Sequence, residues 1–157
     1  METKKKILII CTGNSCRSQM AEGFLKSFGG GMEVFSAGTK PEKEVNPLAV
    51  KVMKECDIDI SSQYPKSVEE FALLEWDYVI TVCSSANASC PQFTGNVKQR
   101  IHIGFDDPAD ATGTEEERIA VYRQVRGEIE EAFLGFYQAY ISRDQNRGCG
   151  CNCGCSN

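Results

Sequence analysis

Histidine is nearly missing from this chain of 157 residues, since His102 is the only one, so no multi-histidine metal site can be assembled from it. Long hydrophobic runs are missing too. The longest, Ile7 to Cys11, is too short to cross a bilayer or to serve as the core of an export signal, although the preceding Met1–Lys6 is basic like the start of one. There is no excess of positive charge. A formal net charge of −5 argues against a general nucleic-acid binder, so any anion must be bound by local geometry. No internal repeat is found. The nucleotide-binding pattern that ends in G-K-[ST] does not occur. With 41% hydrophobic and 25% charged residues, the chain has the profile of one domain with a real core.

Cysteine is abundant instead. Nine of them without an export signal point to a reducing compartment, and the expected location is the cytoplasm, where thiols serve catalysis, exchange or metal binding.

Hydrophobic periodicity predicts the order β-α-β-α-α-β-β-α. Ile7–Cys11 reads as a buried strand. Met20, Ala21, Phe24, Leu25 and Phe28 give a helix from Ser18 to Phe28, closed by Gly29-Gly30-Gly31. Met32–Ser36 forms a second strand, and Asn46-Pro47 opens a helix to about Cys56. Ser67-Val68-Glu69-Glu70 has capping-box spacing and predicts a third helix carrying Phe71, Leu73 and Leu74. Strands follow at Tyr78–Val82 and Arg100–Ile103. A last helix runs from Thr114 to Ile141, with Ile119, Tyr122, Val125, Ile129, Phe133, Phe136 and Tyr140 inward. Alternation of this kind implies an α/β fold with a parallel sheet whose ligands bind at the carboxyl ends of the strands.

The loop Cys11-Thr12-Gly13-Asn14-Ser15-Cys16-Arg17-Ser18 has the form C-x5-R-S between a strand and a helix. Backbone N–H groups in such a loop can converge on one tetrahedral oxyanion at the helix N-terminus, and Arg17 adds a planar two-pronged donor. The same surroundings favour a thiolate at Cys11 without a histidine base. His102 is read as an ordinary strand residue. The plain alternative, a buried cysteine ending a core strand, is weakened by the strand before the loop, the helix after it and Gly13-Asn14 within it.

Ile10 to Ser18, continued by Gln19-Met20-Ala21-Glu22-Gly23, resembles the phosphate-binding loop of the low-molecular-weight tyrosine phosphatase superfamily, and more closely that of its thioredoxin-coupled arsenate reductases. Phe35-Ser36-Ala37-Gly38, Val45-Asn46-Pro47, Asp57-Ile58-Asp59-Ile60-Ser61 and Gly104-Phe105-Asp106-Asp107-Pro108 extend the likeness to about Arg147. It implies one α/β domain over residues 1–147, with a four-stranded parallel sheet and helices on both faces. It also implies arsenate reduction for arsenic detoxification. Cys11 would be the nucleophile, Arg17 and residues Thr12 to Ser18 the oxyanion holders, Asp107 the general acid, and Cys83 and Cys90 the redox disulfide that takes over oxidation from Cys11. Cys16 would support the loop, and Cys56 is left as a core cysteine. No bound cofactor is expected. The partners would be arsenate and an external thioredoxin-like or glutaredoxin-like reductant, the protein a monomer, with no nucleic acid and no membrane.

Some relatives hold potassium at positions matching Asn14, Glu22 and Ser36 with an acidic residue. Here that position is Lys66, whose ammonium is expected to neutralise Glu22 and make potassium unnecessary. Two rival readings stay open. One is a tyrosine phosphatase using the same Cys11 and Arg17, against which stands Ala109 after Pro108, where phosphatases place an aromatic. The other is a non-catalytic thiol protein that sequesters metal or arsenite.

Residues 148–157 form a separate Cys-rich tail outside the resemblance, with Cys149, Cys151, Cys153 and Cys155 at alternate positions. Glycine and asparagine between the thiols predict a flexible segment. It is read as a dispensable terminus, as a thiophilic-ion site, or as a thiol donor to Cys83–Cys90.

Overall fold

A computed structural model describes residues 4–83 and 95–142. Four strands, β1 (Lys5–Cys11), β2 (Met32–Gly38), β3 (Glu75–Thr81) and β4 (Asn96–His102), pair in parallel in the order β2-β1-β3-β4. β1 is central, and its five residues Ile7 to Cys11 are at most 1% exposed, which explains why this segment is apolar throughout rather than alternating. The chain leaves β1 toward β2 and then crosses back to β3 on the other side. The sheet therefore reverses direction beside the carboxyl end of β1, where Cys11 sits.

Three α-helices, α1 (Arg17–Phe28), α2 (Pro47–Lys54) and α3 (Glu115–Phe136), share one core cluster with Ile7, Ile9, Ile80 and Val82. The other face of the sheet carries Leu8, Ile10, Ala37 and Val79, closed by Phe71 and Trp76 from around a short 3-10 turn at Val68–Phe71. Asn46 caps α2 by accepting from Leu48 N at 2.9 Å, with Pro47 at the first helical position. Thr114 and Glu117 form a reciprocal capping box that starts α3. No helix among the described residues is long and apolar enough to cross a membrane.

Several expectations need correction. The third helix is only the 3-10 turn. Ser67 accepts from Glu69 N at 3.2 Å instead of making a capping box, and Leu73, 94% exposed, lies outside any helix. Only one turn fits here because β3 already begins at Glu75. The last helix is α-helical only to Phe136 and then widens into a π-turn, Tyr137–Ile141. That shift of register leaves Tyr140 partly exposed, its ring resting on Tyr78 and Phe136 rather than in the core. β3 and β4 begin earlier than their sequence signals, because ladder pairing between them recruits polar residues such as Glu75 and Lys98 in their opening residues.

Candidate active site

The loop from Cys11 to Cys16 is turned by its own carbonyls. Those of Cys11, Thr12, Gly13 and Ser15 accept from the backbone N–H groups of Thr39, Lys40, Glu42 and Asn46, and that of Asn14 from the Gln19 side chain. In a trans peptide the N–H points opposite to the C=O. Five consecutive N–H groups, from Thr12 to Cys16, are thereby directed to the inner side of the loop. One of them, Asn14 N, reaches Cys11 Sγ at 3.2 Å. Asn14 adopts a left-handed φ of 54°, which asparagine tolerates better than most residues and which closes the turn. The return segment packs so closely that a Cβ on Gly38 would collide with the Thr12 carbonyl.

Beneath the loop runs a buried polar chain. Cys11 Sγ and Ser18 Oγ are 2.9 Å apart; Asn14 Nδ2 donates to Ser18 Oγ at 2.7 Å and to Ser36 Oγ at 3.0 Å; Ser36 Oγ donates to Glu22 Oε1 at 2.6 Å. Glu22 is 4% exposed, and its other oxygen is paired with Lys26 Nζ at 2.6 Å, one helical turn on and half exposed. The expected neutralisation by Lys66 is thus corrected. The Lys66 ammonium donates to the Tyr64 carbonyl at 2.8 Å and lies over the Tyr64 ring, while Lys26 makes the direct pair. Burial holds the Lys66 pKa below its ordinary value, with Glu22 acting in the opposite sense and Lys26 pushing down. Asn14 Oδ1 is also taken, by Lys66 N at 2.8 Å. The Glu22 carboxylate and the Asn14 amide oxygen that would face a potassium ion thus already have partners in Lys26, Ser36 and Lys66 N.

Arg17, 7% exposed, is held in place by two contacts: Nη1 donates to the Phe105 carbonyl at 3.2 Å and Nη2 pairs with Asp107 Oδ2 at 3.3 Å. Its Nε is buried and has no partner among the described residues. A buried charged donor left unpaired is costly, and an anion oxygen in the loop would satisfy it. Asp107 is half-buried and bonds Ala109 N through its other oxygen, whereas Asp106 is exposed, so the structure brings Asp107 alone to the site. A cavity of about 230 Å³ is lined by Cys11 through Arg17, Lys40, Glu42, Asp107 and Ala109. Lys40 and Glu42 were missed by sequence reasoning. They reach the rim only because their own backbone N–H groups hold the loop carbonyls of Thr12 and Gly13, a tertiary pairing without a local signal.

Cys83 directly follows Val82, whose N–H bonds the Ile10 carbonyl at 3.0 Å, so it lies at the same end of the sheet as Cys11. It is buried and disulfide-bonded, while Cys11, Cys16 and Cys56 are free thiols. Cys90 lies outside the described residues, as do Cys149, Cys151, Cys153 and Cys155. Cys16 is buried against Tyr122 Oη at 3.8 Å, and burial, reinforced by Asp107, pushes its thiol up to about 12, which makes it inert beside the reactive position. Cys56 is half-buried rather than in the core. His102 is exposed and shares a 2.7 Å hydrogen bond with Thr81, and it does not line the cavity over Cys11.

A free thiol in an anion-holding C-x5-R loop at the switch point of a parallel sheet defines a phosphatase-type α/β protein. Residues 6–147 match the low molecular weight phosphotyrosine protein phosphatase family, and the chain belongs to it. Among its relatives, an arsenate reductase of Halalkalibacterium halodurans is 52% identical over 127 residues, covering 80% of this chain and 90% of that one. A solved arsenate reductase in its phosphate-binding state superposes with a TM-score of 0.72 at 33% identity, covering 86% of this chain and 98% of the other. A thioredoxin-dependent arsenate reductase from Corynebacterium glutamicum superposes with a TM-score of 0.57 at 25% identity, covering 87% of this chain and 63% of that one.

Proposed function

We propose that this protein reduces arsenate to arsenite with electrons from a thioredoxin-like reductant. The observation that carries the proposal is the pairing of a free Cys11 thiol with a buried, unpartnered Arg17 Nε across one anion-sized cavity, in a chain about half identical to an arsenate reductase.

Arsenate settles among the Thr12–Cys16 amides and Arg17, and the Cys11 thiolate attacks arsenic, forming an S–As bond as Asp107 protonates the departing oxygen. Cys83 then attacks the Cys11 sulfur. The S–As electron pair stays with arsenic, which leaves as arsenite, and a Cys11–Cys83 disulfide remains. Cys90 attacks Cys83, which frees Cys11 and moves the disulfide to Cys83–Cys90 for the external reductant.

The rival within the family, phosphotyrosine hydrolysis, would use the same loop. Ala109 stands at the rim and offers no aromatic face to a substrate ring. The test compares arsenate turnover, with thioredoxin, thioredoxin reductase and NADPH, against hydrolysis of para-nitrophenyl phosphate. Arsenate-dependent NADPH oxidation with little ester hydrolysis is expected; the reverse would assign a phosphatase.

A further inference from the structure

Gln19 lies in the first turn of α1 and is fully buried, although its side chain is a polar amide. Such a group is costly to bury unless its hydrogen bonds are met, and those of Gln19 join the Cys11 loop to residues 63–66.

The loop shows what this amide is for. The carbonyls of Cys11, Thr12, Gly13 and Ser15 are held by backbone N–H groups of the return segment, from Thr39 to Asn46. That of Asn14 is held differently. The left-handed φ of 54° turns the chain at this residue, and its carbonyl accepts from Gln19 Nε2 at 2.9 Å. The same peptide unit carries the Ser15 N–H, which points opposite to the carbonyl and therefore to the inner side of the loop. Whatever holds the Asn14 carbonyl aims the Ser15 amide. Released, the unit can rotate and present an oxygen, which repels an anion, where the N–H stood.

Gln19 is itself aimed. Its Nε2 makes a second bond to the Tyr64 carbonyl at 3.1 Å, and its Oε1 accepts from Gln63 Nε2 at 2.7 Å. A flipped Gln19 amide would set its oxygen against two carbonyl oxygens and its NH2 against another NH2, so one orientation alone satisfies every group. Gln63 is fixed in the same way, because its Nε2 also donates to the main-chain carbonyl of Gln19 at 3.1 Å. Residues 63–66 are tied to the sheet and the loop in turn: Gly38 N–H donates to Lys66 O at 2.8 Å, and Lys66 N–H donates to Asn14 Oδ1 at 2.8 Å. One brace thus grips Asn14 at both its carbonyl and its side chain.

We propose that Gln19, oriented by Gln63, is a positioning residue for the oxyanion: it keeps the Ser15 N–H aimed into the site where the reductase reading, on which this assignment rests, puts arsenate. Neither glutamine lines the cavity over Cys11, so both act without touching the anion. Their role differs from that of the chain beneath the loop, which reaches Cys11 Sγ through Ser18 and runs back to Glu22. That chain surrounds the nucleophile. The glutamine pair aims a donor at the ligand, so its loss should act on anion affinity.

Inorganic phosphate, a tetrahedral anion that thiols do not reduce, is titrated into the reduced full-length protein and into Gln19→Met, Gln63→Met and the double variant, with binding read from backbone amide NMR spectra. Methionine keeps the unbranched shape and removes the amide. Phosphate should shift the amide signals of residues 12–16 in the parent protein. Gln19→Met should weaken binding about 10- to 100-fold, the range for a hydrogen bond to a charged group, and at saturation the Ser15 shift should be lost while that of Thr12 persists. Gln63→Met should weaken binding severalfold. Adding it to Gln19→Met should change nothing further, because it acts through Gln19. If Gln19→Met does not fold, Gln63→Met, at a half-buried position, carries the test through its own loss of affinity and its smaller Ser15 shift. A lowered melting temperature with phosphate affinity and the Ser15 shift unchanged would make the pair merely structural and overturn the proposal, as would additive losses in the double variant. Absence of phosphate binding in the parent protein would instead overturn the anion-site reading beneath it.

Discussion

The two ends of the sheet make an instructive contrast. At the amino end lies an open depression of about 550 Å³, lined by Lys4, Lys6, Glu33, Glu75, Trp76, Asp77, Asn96, Val97 and Lys98, more than twice the volume of the cavity over Cys11. Its central carboxylate is already engaged: Asp77 accepts from the Lys6 backbone N–H at 2.8 Å and pairs with Lys98 Nζ at 3.2 Å. At the carboxyl end, donors converge on one point and a buried guanidinium nitrogen lacks a partner. We expect the smaller cavity to be the functional one, because a buried guanidinium nitrogen there has no partner among the described residues, whereas Asp77 at the larger one is already engaged.

The most damaging change should be at the nucleophile. Cys11→Ser is expected to lower arsenate turnover by more than about ten-thousandfold, measured as arsenate-dependent NADPH oxidation, because no other step can begin. Arg17→Lys should follow at about 100- to 1000-fold, since the charge remains but the planar donor is lost and Lys cannot also hold Phe105 O and Asp107. Arsenate kinetics near those of the parent protein in this variant would erase the contrast between the two ends. Cys90→Ser should release one equivalent of arsenite and stall as a Cys11–Cys83 disulfide; repeated turnover with thioredoxin alone would refute the relay.

The loop and its setting are legible in the sequence because they are local. A buried strand, a C-x5-R spacing and a following helix are contiguous, and the apolar run Ile7–Cys11 reads directly as a buried strand. What the sequence hides is set by tertiary pairing. Lys66 looks like the neutraliser of Glu22 by alignment, yet the i,i+4 geometry of α1 places Lys26 there. Lys40 and Glu42 reach the rim by holding loop carbonyls across the fold. The region after Ser67 has helical spacing but too few residues before β3 to complete a helix. In each case a local pattern yields to a partner distant in sequence.

The Glu22–Lys26 pair sharpens the comparison from below the loop. Lys26→Met would leave a buried carboxylate held only by Ser36, and about 1–2 kcal/mol of stability should be lost, discounted because the ammonium is half exposed. Turnover should fall severalfold as the Glu22–Ser36–Asn14–Ser18 chain loosens around Cys11, and Lys26→Arg should restore it. If Lys26→Met lowers stability but leaves kcat and KM unchanged, the chain is structural and does not position the nucleophile.

The smallest effect is expected at the opposite end. Burial pushes the Asp77 carboxyl up, but the Lys6 amide, the Lys98 ammonium and the charge of Lys5 together outweigh it, and the pKa lies below its ordinary value of 3.8. A carboxyl whose folded value is depressed contributes stability that is present above its unfolded pKa and lost as pH falls through the folded one. Asp77→Asn should therefore cost about 0.5–1 kcal/mol near neutrality, with the difference from the parent protein vanishing as pH falls below 3.8 and through the lower folded value. Arsenate turnover should not change, because nothing at this end faces the loop. Thermal melts from pH 7 downward, paired with turnover at pH 7, check both halves. A loss of activity comparable to that of Lys26→Met would mean that the larger depression takes part in function after all.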